Sequence, residues 1–361
     1  DVSDEINDNR KNDQECAEEF LELFVDSVRL RLRSDVAVGS CLSGGLDSSF
    51  VVCVANNLFK EEGIPNIGEK QKTFSSCSKD KRFDEREYIE EIIKNTGAEK
   101  NYVFPEPEGF LEELDDLIWH QEEPFAGTSI YAQWMVDKIA KEKVKVLLDG
   151  QGADENLCGY RKFYIFYLKK LLKNYHYLLF VDEFARFFSS VDILKTLNIR
   201  SGLRYSGFGS KILQLESLFT HQFLKRFQDR KLNFGYQENL GKRIKEDITT
   251  WSLPVLLRYE DKNTGAYGLE ARLPFLDYRL VEKVASFPIN QKMKNGWTKV
   301  VLRDAMKGIL PDKIRLRKSK LGFVTPERVW LGTTLKKNIK SVIENSYFLP
   351  NYVNKKELID S

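Results

Sequence analysis

The chain has no long apolar run; none approaches the roughly 18–20 residues of a membrane-spanning helix. Its opening residues carry no signal-peptide pattern. It also lacks an excess of one charge. Lys and Arg number 56, Asp and Glu 54, which leaves +2. Nothing in that balance calls for a nucleic-acid or membrane partner. Cysteines are few and odd in number: Cys16, Cys41, Cys53, Cys77 and Cys158. They show no paired metal spacing, so the expectation is reduced thiols in a cytoplasmic protein. Three histidines (His120, His176, His221) are too scattered for a zinc site. What remains is a globular composition, 42% hydrophobic and 30% charged. At 361 residues there is room for one large or two ordinary domains.

The most informative stretch is Val38-Gly39-Ser40-Cys41-Leu42-Ser43-Gly44-Gly45-Leu46-Asp47-Ser48-Ser49. An apolar strand pattern, 36–42, ends in glycines, hydroxyls and an acid. A helical apolar run, 50–59, follows. A strand, a tight turn and a helix start make an anion site, and glycines let the backbone approach a phosphate. No lysine or arginine lies between Arg33 and Lys60, so this is not the lysine-bearing phosphate loop. Asp47 beside a phosphate needs a cation, and Mg2+ held by Asp47 and phosphate oxygens is the simplest one. Further positive charge must come from elsewhere in the chain.

Residues 1–13 read as a frayed lead or linker. Ala17, Phe20, Leu21, Phe24, Val25, Val28 and Leu32 recur at helical spacing, which predicts a helix over 14–33. Strands are predicted over 72–77, 101–104 and 144–148, with helices over 109–119 and 129–143. Asp84 with Glu87 suggests a capping box for another helix, ended by Gly97. This alternation predicts a doubly wound, mainly parallel α/β sheet over about 14–160. Residues 161–345 are expected to be mostly helical and to complete the same domain, with a tail from 346. Trp119, Trp134 and Trp251 are expected in the core.

The fourth strand runs into Asp149-Gly150-Gln151-Gly152-Ala153-Asp154-Glu155, again a strand end with glycines and acids. Ligands in open α/β sheets bind beyond the carboxyl ends of strands, so two such ends converge on one ligand. Asp154 is the candidate second Mg2+ ligand beside Asp47.

Ser43–Ser49 resembles the pyrophosphate loop of the N-type ATP pyrophosphatases, whose sheet is adenine nucleotide alpha hydrolase-like. Val146–Glu155 with Gly159-Tyr160, Gly268–Asp277, and Lys299 with Leu302-Arg303, Pro311, Lys320, Gly322, Phe323, Pro326 and Trp330 resemble the later motifs of the asparagine synthetase synthetase domain. The resemblance implies an amidating ligase: a carboxylate attacks the α-phosphate of ATP, pyrophosphate leaves, and ammonia displaces AMP from the acyl-adenylate. It implies Lys299 as the catalytic lysine. Leu42 and Ser76 would border adenosine. Ser43, Gly44, Gly45, Ser48 and Ser49 would cradle pyrophosphate, and the Asp149 and Gly150 backbone would contact ATP. Glu270, Arg272 and Asp277 would either wall the substrate pocket or form a structural ion-pair network. The implied partners are ATP, aspartate or another carboxylate, and ammonia. A glutaminase domain or subunit is expected upstream, and the resemblance is compatible with a homodimer.

The pattern is not followed throughout. Many relatives have glutamate where Gln151 stands, and an amide cannot serve as a general base. Gln151 is left as a hydrogen-bonding catalytic candidate and Glu155 as the candidate acid. Pro124–Ser129 matches a region that carries a substrate-side arginine in some members, and has none. Cys16 lies inside a helix pattern and cannot be a glutaminase's N-terminal nucleophile. Either that domain was removed, a partner provides ammonia, or free ammonia is used; the first residue, Asp1, favours the first expectation. Ring-closing relatives such as β-lactam synthetases, and a nucleotide-binding regulatory relative, stay open as alternatives.

Overall fold

The computed structural model describes residues 12–188, 218–228, 239–318 and 325–360. Val38–Cys41 (β1), Lys72–Ser76 (β2), Glu99–Val103 (β3), Val146–Leu148 (β4) and Glu270–Arg272 (β5) form one sheet in the order β3-β2-β1-β4-β5. Every pairing is parallel; Gly39 faces Lys72 on one side of β1, and Val38 faces Val146 on the other. The chain steps from β1 outward to β3, then returns to lay β4 on the far side of β1. That reversal opens a crevice at the carboxyl ends of β1 and β4.

Both sheet faces are covered, as parallel sheets require. In β4, Val146 and Leu148 join one core and Leu147 the other. The larger core is built on helix α1, Asp13–Arg31, which Asn12 and Glu15 start with a capping box. Its Phe24 is fully buried and stacks 4.5 Å from Phe50, with Phe275 at 4.6 Å. Helices α2 (Leu46–Glu62), α3 (Arg86–Thr96), α4 (Pro107–Gln121) and α5 (Ser129–Ala140) link the strands.

The described part of 161–345 is mostly helical, as expected, and within it β5 extends the sheet, which the sequence did not announce. Glu-Ala-Arg offers neither alternation nor an apolar run, and an edge strand is bonded on one side only. Three other expectations need correction. Glu85 rather than Asp84 is the N-cap of α3; Asp84 accepts from the Arg86 amide at 3.2 Å and pairs with the Arg86 guanidinium, and Glu87 pairs with Lys313 at 2.8 Å, so no capping box forms. Trp119 is 79% exposed, because α4 buries Phe110, Leu117 and Gln121 on its other face. Trp251 is also exposed, whereas Trp134 is buried with its indole N–H on Glu113 at 2.6 Å.

The described residues fall into two compact units. One is drawn from Asp1–Thr196 and Gln237–Thr325 and holds the sheet; the other is drawn from Leu197–Tyr236 and Pro326–Ser361. In the second, Phe219 bridges Val353 and Phe223 meets Tyr352 edge-on at 5.8 Å. Among the described residues no helix is long and apolar enough to cross a membrane.

Candidate functional site

β1 ends at Cys41, and Leu42 to Gly45 turn the chain into α2. Gly44 takes φ 74°, a left-handed conformation that glycine adopts without strain. Gly45 is the N-cap, and no side chain caps this end of the helix. The first amides of α2 are therefore left for a ligand, and the helix dipole favours an anion there. The hydroxyls brace the turn. Ser43 Oγ and Ser48 Oγ lie 2.9 Å apart, and the Ser43 amide donates to Ser48 Oγ at 3.1 Å.

The second loop leaves β4 and reaches a short helix α6, Ala153–Asn156. Its Gly150 touches the start of α2. A Cβ there would lie 2.8 Å from the Ser48 amide nitrogen and 3.1 Å from the Asp47 carbonyl carbon. A residue without a side chain is what lets the two strand-end loops meet.

Lys299 arrives from 252 residues away. Met293–Lys294 and Trp297–Thr298 form a hairpin. Its turn is Asn295 (φ 54°) and Gly296 (φ 75°), the two positive φ values of a type I′ turn. Lys299 follows, itself left-handed at φ 56° and only 3% exposed. Its Nζ sits 2.6 Å from both Asp47 oxygens and 2.7 Å from Asp154 Oδ1. Arg303 secures this turn by donating from Nε to the Thr298 carbonyl at 2.9 Å. Burial lowers that guanidinium to about 10. Two acids share one lysine in a nearly buried setting, where removing a partner is far costlier than the pair is worth.

These groups line a cavity of about 590 Å³. Leu42, Ser43, Gly45, Asp47 and Ser48 reach it from the first loop, Asp149, Gly150, Gln151 and Asp154 from the second, and Lys299 from the hairpin. Asp149 is pushed up by burial, which the Cys41 thiol and the Gly150 and Gln151 amides oppose by hydrogen bonding to it. Gly44, Ser49, Ser76 and Glu155 do not line the cavity. Ser49 is buried beneath the loop. Glu155 Oε1 accepts from Tyr160 at 2.6 Å and Ser252 at 2.7 Å. Burial first, and the Glu155 carboxylate after it, hold the Tyr160 hydroxyl well above its ordinary range.

Glu270, Arg272 and Asp277 also lie off the cavity wall. Arg272 pairs with Glu270 at 2.7 Å and donates to the Arg31 carbonyl at 2.8 Å and the Arg33 carbonyl at 2.6 Å. Asp277 pairs with Arg31 at 3.1 Å and Arg279 at 2.9 Å. These contacts fasten β5 and Asp277 to α1 and the turn after it. Lys320, Gly322 and Phe323 lie outside the described residues.

Sequence reasoning missed the other cations of the wall. Arg161, Arg317 and Lys318 line it with Arg303. Arg317 is locked 3.7 Å over the Tyr88 ring, paired with Glu85, and donates to the Gly44 carbonyl at 3.4 Å. No local pattern marks these residues. The Asn295-Gly296 turn that delivers Lys299 was a legible signal.

The fold and loops define a parallel α/β domain with an anion-seeking helix start at its switch point. Residues 19–360 match the family described as Asparagine synthase, and the chain belongs to that family. It is 32% identical to Asparagine synthetase [glutamine-hydrolyzing] 1 of Bacillus subtilis (strain 168), over 92% of this chain and 53% of that protein. A Mycobacterium tuberculosis (strain ATCC 25618 / H37Rv) relative, described as Putative asparagine synthetase [glutamine-hydrolyzing], is 28% identical over 89% of this chain and 50% of its own length. Amidase chyE of Penicillium rubens (strain ATCC 28089 / DSM 1075 / NRRL 1951 / Wisconsin 54-1255) is 23% identical over 94% of this chain and 57% of its own length. The chain thus spans about half the length of the curated relatives it matches.

Proposed function

We propose that this chain amidates a carboxylate, aspartate first, with ATP and ammonia as co-substrates. The carboxylate oxygen attacks the α-phosphorus and pyrophosphate leaves. Ammonia then attacks the acyl carbon, and AMP leaves with the acyl C–O bond electrons. The observation that carries this reading is the meeting of Asp47, Asp154 and Lys299, from three distant motifs, beside an uncapped helix start. A cavity of about 590 Å³ is of the size that small-molecule ligands occupy.

The donor set fits Mg2+. Two carboxylates already converge on one cationic atom, and this ion takes one or two carboxylates plus phosphate oxygens and water. Asp47 and Asp154 would hold it, and it would neutralise charge on the departing pyrophosphate. The Ser43 and Ser48 hydroxyls and the first α2 amides bind phosphate oxygens. Lys299, Arg303 and Arg317 surround that negative charge. Leu42 borders the adenosine. Lys299, 2.6 Å from both Asp47 oxygens and 2.7 Å from Asp154 Oδ1, would place its charge beside a phosphoryl or acyl oxygen. Two of the named relatives are described as glutamine-hydrolyzing, and for this chain ammonia comes from glutamine through a glutaminase domain or subunit, in a cytoplasmic setting.

The test is pyrophosphate exchange into ATP by the chain with Mg2+, with and without aspartate. Aspartate-dependent exchange supports the reading. Exchange only with a larger amino-carboxylate moves the chain to the ring-closing relatives. No exchange with any carboxylate refutes adenylation.

A further inference from the structure

The hairpin that delivers Lys299 has little strength of its own. Each strand is two residues long, and an isolated two-stranded hairpin is marginal in water. Asn295 and Lys299 are both left-handed, at φ 54° and 56°, a region that residues other than glycine enter at a cost. Such conformations persist where the surroundings over-determine them. The direction of the Lys299 side chain therefore depends on what the turn rests against.

It rests on the two helices that follow α6, namely α7 (Arg161–Lys173) and α8 (Tyr177–Phe188). Glu183 on α8 is 2% exposed. Its Oε1 accepts the Asn295 amide at 2.9 Å, and its Oε2 accepts the Gly296 amide at 3.0 Å. Tyr164 on α7 is fully buried beside them. Its hydroxyl donates to Glu183 Oε2 and accepts from the Gly296 amide at 2.7 Å. Burial first, and Glu183 after it, hold that hydroxyl well above its ordinary range, so it remains a donor. Turn and helix are in close contact: a Cβ on Gly296 would lie 2.8 Å from the Arg186 carbonyl carbon and oxygen.

A buried carboxylate is tolerated where donors satisfy it. Two of the three donors to Glu183 are the central amides of the turn. Adjacent N–H groups in this kind of turn form a concavity that suits an anion. Phe187, four residues further along α8, stacks 4.2 Å from Tyr164 and lines the cavity. Glu183 does not line it. The acid thus stands behind the turn, on the side away from any substrate.

We propose that Glu183 is a positioning residue for Lys299: its carboxylate clasps the Asn295-Gly296 turn and so aims the lysine at the phosphate end of the cavity. The inference rests on the amidation reading, in which the Lys299 charge serves the reacting oxygens. It adds the acid that acts through that lysine.

The test uses Glu183→Gln, which keeps the shape and leaves one acceptor oxygen for two amides. Tyr164→Phe keeps the ring and removes the hydroxyl. Both are assayed by aspartate-dependent ATP–pyrophosphate exchange and by urea denaturation. Misplacing a reacting group by about 1 Å costs on the order of a hundredfold in rate. Glu183→Gln should therefore lower kcat per folded molecule roughly tenfold to a hundredfold. The KM values for ATP and aspartate should stay near wild type, the split expected when an interaction made in the transition state is lost. Tyr164→Phe should show the same split, less strongly. Leu58→Ala, buried at the far end of α2, is the control for stability alone. It should lower the urea midpoint by opening a cavity and leave kcat per folded molecule unchanged. A folded Glu183→Gln chain whose kcat per folded molecule matches wild type, as in Leu58→Ala, overturns the role. So does a rise in the KM for ATP with kcat unaltered. Should Glu183→Gln fail to fold, Tyr164→Phe decides by the same criteria. Wild-type exchange with silent variants refutes only this role. A wild type that exchanges with no carboxylate refutes the amidation reading, and this role with it.

Discussion

Gly159→Ala should disable the site without touching any charged group. Gly159 lies against the Asp154–Lys299 pair. An alanine Cβ there would sit 1.9 Å from Asp154 Oδ1 and 2.2 Å from Lys299 Cε, where ordinary contact begins at 3.4 Å. Both side chains must retreat by about 1.2–1.5 Å. They have little room, because the Lys299 side chain is 4% exposed and its Nζ is already bonded to Asp47 at 2.6 Å. If the pair shifts intact, overpacking costs about 1–3 kcal/mol. If it breaks with both charges still buried, the cost is about 3–5 kcal/mol. Displacing a reacting group by about 1 Å costs on the order of a hundredfold in rate. Urea denaturation reads the first effect and ATP–pyrophosphate exchange the second. Gly265→Ala is the control, since nothing lies within 4 Å of a Cβ at that helical position; it should stabilise by about 1 kcal/mol or less. A Gly159→Ala chain with the wild-type urea midpoint and wild-type exchange would refute the Lys299-centred account.

Gly150→Ala should weaken ATP binding as well as stability, by about 1–3 kcal/mol, because its Cβ meets backbone at 2.8 Å rather than a movable side chain; the KM for ATP in exchange checks this. Asp47→Asn should abolish exchange and leave the circular dichroism spectrum unchanged; retained exchange would remove Asp47 from the metal assignment. Asp277→Asn should lower stability while leaving the KM values for ATP and aspartate alone. The Arg279 guanidinium, helped by Arg31 and opposed by burial, lowers Asp277 to about 2. A folded-state value below the unfolded one, about 3.9, stabilises above that pH and is lost as pH falls through about 2. The stability gap between wild type and Asp277→Asn should therefore be full above about pH 5 and close between about pH 4 and 2, measured by urea titration across pH. A gap that widens on acidification would refute the pairing.

Much of the architecture was legible because its causes are local. Val36 to Leu42 followed by Ser43-Gly44-Gly45 specifies a strand, a turn and an uncapped helix by backbone preference alone. Val146–Leu148 followed by Asp149-Gly150 does the same for the second loop. The alternation of such units implies a parallel sheet with ligands at its carboxyl end. β5 was not legible, because three residues on a sheet edge need no hydrophobic pattern. The orientation of Trp119 was not legible either, since it depends on which face of α4 the sheet covers.

The sequence by itself determined the two glycine-and-acid loops and the need for positive charge that neither loop contains. Tertiary structure decided which charge answers it. Chain closure over 252 residues brings Lys299 to Asp47 at 2.6 Å, and Gly150 and Gly159 make the room for that contact. It also decided that Glu155 turns to Tyr160 and Ser252, while Glu260 stands beside Gln151. The physical reason is range. Turn chemistry acts between neighbours in the chain, whereas ion pairing and desolvation depend on what packing brings together.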